Sequence, residues 1–133
     1  MKKTKTMLIL CVMLALVPVS SVLADNEVTD ATWDGPVLTA SAGVVMGPSG
    51  KETYYNLDMS GVIEIMRGLG NNDEYWVRED GVKMLGDYVM CAANLETHPR
   101  GSLVESSLGT AIVVDTGGFA ASNPNQLDIA VTW

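Results

Sequence analysis

The sequence predicts a mainly β domain, a small six-stranded barrel with one short helix. Short apolar runs, rich in β-branched residues and bounded by Gly, Pro, Asn and Asp, recur between residues 37 and 133. One segment alone, residues 58–70, has the apolar spacing of a helix. The chain of 133 residues is also short enough for one domain behind a leader segment.

The first 24 residues have the features of a secretory signal peptide. Three lysines precede an apolar core over residues 7–17, and the segment ends in Val22-Leu23-Ala24. The core is shorter than the roughly 20 residues that a membrane-spanning helix needs, and a retained N-terminal anchor is the alternative. We therefore expect cleavage after Ala24 and a secreted location, extracellular or in the cell wall.

The charge of the exported chain excludes two classes of partner. Without its first 24 residues the chain has 5 basic and 16 acidic residues, a formal net charge of −11. Nucleic acids and anionic membranes both attract positive surfaces, so we expect neither as a partner after the signal peptide is removed. The sequence leaves the oligomeric state open.

Metal and thiol chemistry are not expected either. The single histidine, His98, lies in a turn-like segment and has no partner at metal-ligand spacing. The one cysteine of the exported chain, Cys91, lies in an apolar run and is interpreted as a small buried hydrophobic residue. We expect no metal and no other cofactor.

The elements are predicted in chain order, beginning with a flexible, acidic arm over residues 25–36. The barrel domain over residues 37–133 then starts with a strand at 37–46, which the turn-like "GPSGKE" ends. The helix over residues 58–70 has Asp58 or Ser60 as its N-cap and Gly70 as its stop signal.

The rest of the chain predicts β structure. An Asp80-Gly81 turn between two short apolar runs indicates a hairpin. "HPRG" is a further turn, and "SLVESSLGTAIVVD" predicts two strands joined at Leu108-Gly109. The other predicted strands are "DYVMCAAN" and "QLDIAVTW".

Two aspartates near the end of the chain are the candidate catalytic residues. Asp115 ends one apolar run and opens an Asp-Thr-Gly-Gly turn, and Asp128 lies thirteen residues later within another apolar run. Asp-Thr-Gly is also the signature of aspartic proteases. Those enzymes need two copies of the motif, because the aspartates of the two copies share one proton. This chain has one copy with only 16 residues after Gly117, so we reject the protease reading.

Residues 88–133 resemble the three-aspartate (3D) domain. This double-psi β-barrel occurs in secreted cell-wall proteins of Gram-positive bacteria and in the catalytic core of MltA-type lytic transglycosylases. Its pattern is an Ala-x-Asp strand end, a Pro-x-Gly turn, a strand, Asp-Thr-Gly-Gly and an Asp in a final apolar strand. The chain has "CAANLETHPRGSLV", "AIVVDTGGFA" and "QLDIAV" in that order. It departs from the pattern at Asn94, which stands in the place of the first aspartate.

The resemblance implies a double-psi barrel that cleaves the MurNAc–GlcNAc bond of peptidoglycan and leaves a 1,6-anhydro end. Cleavage needs a carboxylic acid that is protonated near neutral pH, and burial or a second carboxylate raises a carboxyl pKa. By resemblance the acid/base is Asp115, with Asp128 as the second catalytic candidate. The candidate substrate-binding residues are Asn94, Thr116, Gly117 and Gly118.

Several alternatives remain open at this point. An aspartate in such a turn can merely bond backbone amides. Because an amide neither titrates nor carries charge, Asn94 favours a glycan-binding or structural wall module without catalysis, or a morphogenetic partner protein. Four aromatic residues are candidates either for stacking on sugars or for the core: Tyr54, Tyr55, Tyr75 and Trp76. Three cations are candidates either for binding wall carboxylates or for solvated surface: Lys51, Lys83 and Arg100.

N-terminal sequencing of the secreted protein is expected to give Asp25 as the first residue. The reason is the basic segment, apolar core and small residue at Ala24, which together form a cleavable signal. Detection of Met1 on the extracellular protein would contradict this prediction.

Overall fold

A computed structural model describes residues 33–133, and the predicted signal peptide and most of the predicted arm lie outside these residues. The eight strands of this part of the chain are β1 Val45–Gly47, β2 Gly50–Tyr55, β3 Tyr75–Val77, β4 Lys83–Leu85, β5 Tyr88–Ala92, β6 Leu103–Ser106, β7 Gly109–Asp115 and β8 Leu127–Ala130. Helix α1 is Ser60–Gly68, and a 3-10 helix covers Gly118–Ala121. All of these elements belong to one unit, Gly35–Trp133. The prediction of a mainly β fold with one short α-helix is confirmed.

Strand β5 is the centre of a single eight-stranded sheet. Along one edge β5 pairs in parallel with β7, and along the other it pairs antiparallel first with β4 and then with β8. Strand β8 pairs in parallel with β2. The main path through the sheet runs β1-β2-β8-β5-β4-β3, and β6 joins the sheet by pairing with β7. The path from β1 to β3 does not close within the described residues. The pairings of the described residues therefore give an open eight-stranded sheet, and they do not confirm the predicted six-stranded barrel.

Both faces of the central strands are buried. Along β5, Val89 and Cys91 belong to one hydrophobic cluster, and Met90 between them belongs to a second cluster. Since successive side chains of a strand point to opposite faces, the two clusters lie on opposite sides of the sheet. Helix α1 contributes Val62 and Met66 to the second cluster, so we call this side of the sheet the helix face.

The predicted strand over residues 37–46 is largely wrong. The Thr39 hydroxyl accepts the N–H of Ala42, and the Thr39 carbonyl accepts the N–H of Gly43, so this segment turns back on itself. Strand β1 begins only at Val45, and β2 follows after a two-residue turn. The sequence analysis missed β2 because its residues Gly50–Tyr55 are mostly polar.

The predicted helix is present with the predicted stop. Gly70 has φ +96°, its N–H binds the Arg67 carbonyl, and the N–H of Asn71 binds the Met66 carbonyl. These two bonds form a Schellman motif. The motif needs a positive φ at Gly70, a conformation that glycine adopts without steric cost. At the start, Asp58 accepts the N–H of Ser60, while the N-cap position is Met59. No helix of the described residues is long and apolar enough to span a membrane.

One carboxylate, Glu52 of β2, is completely buried. Its Oε2 accepts the Ser107 N–H at 2.8 Å, and its Oε1 accepts the Ser107 hydroxyl at 2.7 Å. The same hydroxyl accepts the N–H of Leu38 at 3.0 Å, so three distant segments meet here. A Cβ at Gly47 would collide with the Glu52 carboxyl, which explains why β1 has a glycine beside it. Burial raises the pKa of Glu52 above its ordinary value, although the two bonds from Ser107 oppose the shift.

The free energy of unfolding is expected to fall as pH rises above about 4.5, the ordinary pKa of a glutamate. A raised folded-state pKa means that the folded protein binds this proton more tightly than the unfolded chain does, so stability is lost as Glu52 ionises. Glu52→Gln should therefore lose less stability between pH 4.5 and 7 than the wild type, measured by urea unfolding.

Ser107→Ala provides the opposite test. It removes the hydroxyl bond that lowers the Glu52 pKa, so its stability should decline over a wider pH range than that of the wild type. Identical pH profiles for the wild type and Glu52→Gln would contradict the assignment to Glu52.

Candidate active site

The two candidate aspartates lie on either side of one small residue of the central strand. Ala92, at the end of β5, is paired with Asp115 of β7 on one edge and with Asp128 of β8 on the other. Side chains at paired positions share a face, and the methyl group of Ala92 is the only side chain on the strand between them. The strand register therefore places the two predicted aspartates on either side of Ala92.

A bulge in β7 is what brings Asp115 to the helix face. Cys91 is paired with Val113, but the next residue of β5, Ala92, is paired with Asp115, so Val114 is an extra residue. Strict alternation from Val113, which lies in the other cluster, would place Asp115 on the opposite face from Asp128. The inserted residue reverses the alternation and re-aims the following side chain.

Asp128 is held in a half-buried position by β2. Its Oδ1 accepts the Thr53 hydroxyl at 2.8 Å, and Thr53 Oγ1 in turn accepts the Gln126 side-chain amide at 2.8 Å. Burial raises the pKa of Asp128, the bond from Thr53 opposes this, and the negative charge of Asp115 raises the pKa further. Asp128 therefore keeps its proton to a higher pH than a solvent-exposed aspartate does.

Asp115 accepts two hydrogen bonds at the end of β7. The Tyr55 hydroxyl donates to Oδ2 at 3.1 Å, and the backbone N–H of Thr116 donates to Oδ1 at 2.9 Å. Burial is the main cause that raises the pKa of Tyr55, followed by the charge of Asp115 and its hydrogen bond, with Asp128 contributing as well. Tyr55 therefore remains a neutral donor that lies close to both carboxyl groups.

The other predicted substrate-binding residues form an exposed rim after β7. Thr116, Gly117 and Gly118 are all exposed, and Gly118 begins the 3-10 helix. Gly117 has extended backbone, and a Cβ there would approach the ring of Phe119 to 3.1 Å. The chain that directly follows Asp115 is therefore exposed.

Asn94 lies beyond the end of β5 and is fully engaged in local contacts. Its Oδ1 accepts the N–H groups of Glu96 and Thr97, at 2.8 and 3.0 Å, and its Nδ2 donates to the Ala120 carbonyl at 3.0 Å. The last bond needs an amide, because a carboxylate at this position would face the Ala120 carbonyl oxygen. Asn94 thus joins the loop after β5 to the 3-10 helix after Asp115, and it makes no hydrogen bond to either aspartate.

The aromatic and cationic candidates differ in whether their side chains are buried or exposed. Tyr54 and Tyr75 pack against the two hydrophobic clusters, whereas Trp76 is exposed on β3. Lys83 is buried and donates to the Asn56 side chain and the Leu57 carbonyl. Lys51 is exposed on the β1–β2 hairpin, and Arg100 Nε donates to the carbonyl of Val114, the residue before Asp115, at 3.1 Å.

Two other kinds of site, a reactive thiol and a metal site, were also considered for residues 33–133. Cys91 is completely buried, as predicted, and burial raises the pKa of its thiol to about 12, so it is not a nucleophile at neutral pH. Within residues 33–133 no group of three or more His, Cys, Asp or Glu side chains is placed to hold a metal ion. The side chains around the two aspartates contribute carboxyl, hydroxyl and amide groups.

Thr53 and Gln126 were not expected in the site from the sequence, and Tyr55 was not expected as a hydrogen-bond donor there. Thr53 and Gln126 depend on contacts between β2 and the chain around β8, and Tyr55 depends on a contact between β2 and β7, and the bonded residues are 60 to 75 positions apart in sequence. The only available signal was the polar alternation of "KETYYN", and that stretch was not recognised as a strand.

Comparisons of the chain with protein-family models, with curated proteins and with solved structures found no match. The chemistry of the carboxyl pair is accordingly inferred from its geometry.

Substitutions on either side of Asp128 are expected to move its pKa in opposite directions. Asp115→Asn should lower the pKa of Asp128, because the negative charge of Asp115 is one cause of its rise. Thr53→Val should raise it, because the hydroxyl that stabilises the ionised form is removed. NMR titration of the carboxyl carbon of Asp128 measures both shifts.

Asp87→Asn is the matched control, since it removes a negative charge from an exposed residue in the turn before β5. It should leave the Asp128 titration unchanged. An Asp128 pKa that does not respond to Asp115→Asn would show that the two carboxyl groups are not coupled.

Proposed function

We propose that this domain acts on peptidoglycan and cleaves the MurNAc–GlcNAc glycosidic bond in the manner of a lytic transglycosylase. The observation that carries the proposal is the carboxyl pair around Ala92, in which Asp128 is half-buried with a raised pKa and Asp115 accepts two hydrogen bonds. Glycosidic cleavage needs one protonated carboxyl group and benefits from a nearby negative charge.

In the proposed reaction Asp128 carries the proton. It donates the proton to the glycosidic oxygen as the bond to C1 of the muramyl residue breaks, and the GlcNAc side leaves as an alcohol. The C6 hydroxyl of the same muramyl residue then forms a bond to C1, and its proton returns to Asp128. Atoms and charges balance without water, and the product has a 1,6-anhydro end. The sequence resemblance assigned the role of proton donor to Asp115. Burial raises the pKa of Asp128, so we propose Asp128 as the proton donor instead.

Asp115 supports the reaction as a carboxylate in this proposal. Its negative charge stabilises the positive charge that develops at C1 when the leaving group departs. The Tyr55 hydroxyl and the Thr116 N–H hold both oxygens in place, so the carboxylate is oriented before substrate binds.

The relationship to the three-aspartate domain, with its double-psi barrel, is part of the proposal. Its support is the order of elements along the chain: β5, the turn over residues 99–102, β7 with Asp-Thr-Gly-Gly, and β8 with Asp128. The proposal also includes export to the cell wall and peptidoglycan glycan strands as the partner, with no cofactor.

A non-catalytic glycan-binding wall module is the second candidate function. Asn94 favours it, because every polar atom of this side chain is used in loop contacts and none is directed at the carboxyl pair. Such a module would keep the exposed rim at Thr116–Gly118 for binding without turnover.

Purified peptidoglycan treated with the exported protein is expected to release muropeptides with 1,6-anhydro ends, detected by mass spectrometry. Asp128→Asn should reduce release by about 100- to 10,000-fold, because the amide matches the carboxyl group in size but cannot donate the proton. Asp115→Asn should also reduce release, while the fold and wall binding are retained in both variants.

The products separate the alternatives. Reducing ends would show that water attacks C1, which makes the protein a hydrolase. Absence of products, with equal wall binding by the wild type and both variants, would favour the binding module. Asp87→Asn is again the control and should leave product release unchanged.

A further inference from the structure

We propose that Arg100 forms a subsite for a carboxylate of the peptidoglycan stem peptide, at one end of a surface cleft. The inference rests on the proposed function for the identity of the ligand, and it extends that function from the glycosidic bond to the peptide. The cleft has a volume of about 600 Å³ and lies between the end of α1 and the turn that holds Arg100. Its lining residues are Met66, Leu69, Gly70, Asn71, Asn72, Asp73, Arg100 and Gly101.

The backbone around Arg100 is rigid. The N–H of Ser102 binds the Pro99 carbonyl at 2.9 Å, and Gly101 between them has φ +93°, which is a turn that requires glycine for its backbone angle. A Cβ at Gly101 would meet no atom within 4 Å, so the glycine is needed for conformation and not for space. The Gly101 N–H also binds the Val113 carbonyl, which ties the turn to β7.

The side chain of Arg100 is fixed as well. Its Nε donates to the carbonyl of Val114, the extra residue of the β7 bulge. Because Val114 directly precedes Asp115, this hydrogen bond joins the guanidinium to the backbone one residue before Asp115. Its two terminal nitrogens have no acceptor among the described residues.

The other cations of residues 33–133 do not offer such a group to the cleft. Arg67 donates to the Asn71 and Asp73 carbonyls, Arg78 forms an ion pair with Asp80 at 3.0 Å, and Lys83 is buried with its own acceptors. Lys51 lies on the exposed β1–β2 hairpin. Arg100 is not required to cap the C-terminus of α1, because the Schellman motif already provides donors for the Met66 and Arg67 carbonyls.

A planar guanidinium with two free terminal nitrogens matches a carboxylate in a bidentate pair. The protein has a formal net charge of −8, so a carboxylate ligand is repelled by most of its surface and needs a local cation. Stem peptides begin on the lactyl group of the muramyl residue, the same sugar whose C1 is to react. A carboxylate bound at Arg100 would therefore orient that sugar at Asp115 and Asp128.

The test compares two ligands that differ by one charge. They are N-acetylmuramyl-L-alanyl-D-glutamine, whose free α-carboxylate and γ-amide match the second residue of a stem peptide, and its analogue in which that carboxylate is an amide. Neither contains a glycosidic bond between sugars, so binding to the full exported protein is measured by calorimetry without turnover. The wild type should bind the carboxylate form about tenfold more tightly than the amide.

Arg100→Gln should bind both ligands equally, whereas Lys51→Gln, which removes the same charge from the hairpin, should keep the preference. If Arg100 only supports the bulge, Arg100→Gln would weaken both ligands and leave their ratio unchanged, which would overturn the subsite. Asp73→Asn should increase the preference, because this acid lines the same cleft and repels the ligand.

The subsite and the proposed function fail separately. Equal affinities of the wild type for the two ligands, with 1,6-anhydro release intact, would overturn the subsite alone. A retained preference without any release would leave the subsite and remove the cleavage. Tighter binding of glycerol 3-phosphate than of the muramyl peptide would identify a phosphate ligand and overturn the carboxylate assignment.

Discussion

The pairing of β5 with β7 and β8 around Ala92 is the constraint on which the rest of the site depends. One strand supplies a small, buried residue, and its two neighbours supply one aspartate each. The extra residue Val114 matters as much as the pairing, because without it Asp115 would project into the hydrophobic cluster on the other side of the sheet. The bulge carbonyl is then satisfied by Arg100, so the geometry of the site and the fixed position of this cation arise from the same irregularity.

The remaining site residues come from β2, which reaches the pair through its parallel contact with β8. Thr53 is in register with Asp128, and Tyr55, two residues later, lies on the same face and extends to Asp115. A parallel pairing of this kind requires distant segments of chain to meet, and buried polar contacts fix how they meet. Glu52 joins β2 to the Ser107 turn and so helps to fix the register of β2, because a one-residue slip of β2 would leave its carboxyl group unpaired.

The two faces of the sheet divide the roles of the molecule. The face opposite the helix is closed by apolar side chains on β5, β7 and β8 and contains the buried Cys91 thiol. The helix face combines its own apolar cluster with the carboxyl pair, and the cleft at the end of α1 continues from it, since Met66 belongs to both. The sheet thus presents the carboxyl pair at the place where β5 and β7 end.

The sequence by itself determined the class of fold, the helix with its glycine stop, the hairpins at Gly81 and Gly109, and the identity of the two aspartates. These features depend on local patterns of apolar spacing and turn residues, which act over a few positions of the chain. It did not determine that β2 is a strand, that Glu52 is buried, or that Tyr55 and Thr53 bind the two carboxyl groups. Those facts depend on the pairing of segments that are 55 to 75 residues apart. Above all, the shared face of Asp115 and Asp128 was decided only in the tertiary structure. Simple alternation along each strand places the two aspartates on opposite faces, and only the register of β7 against β5 shows the inserted residue that brings them together.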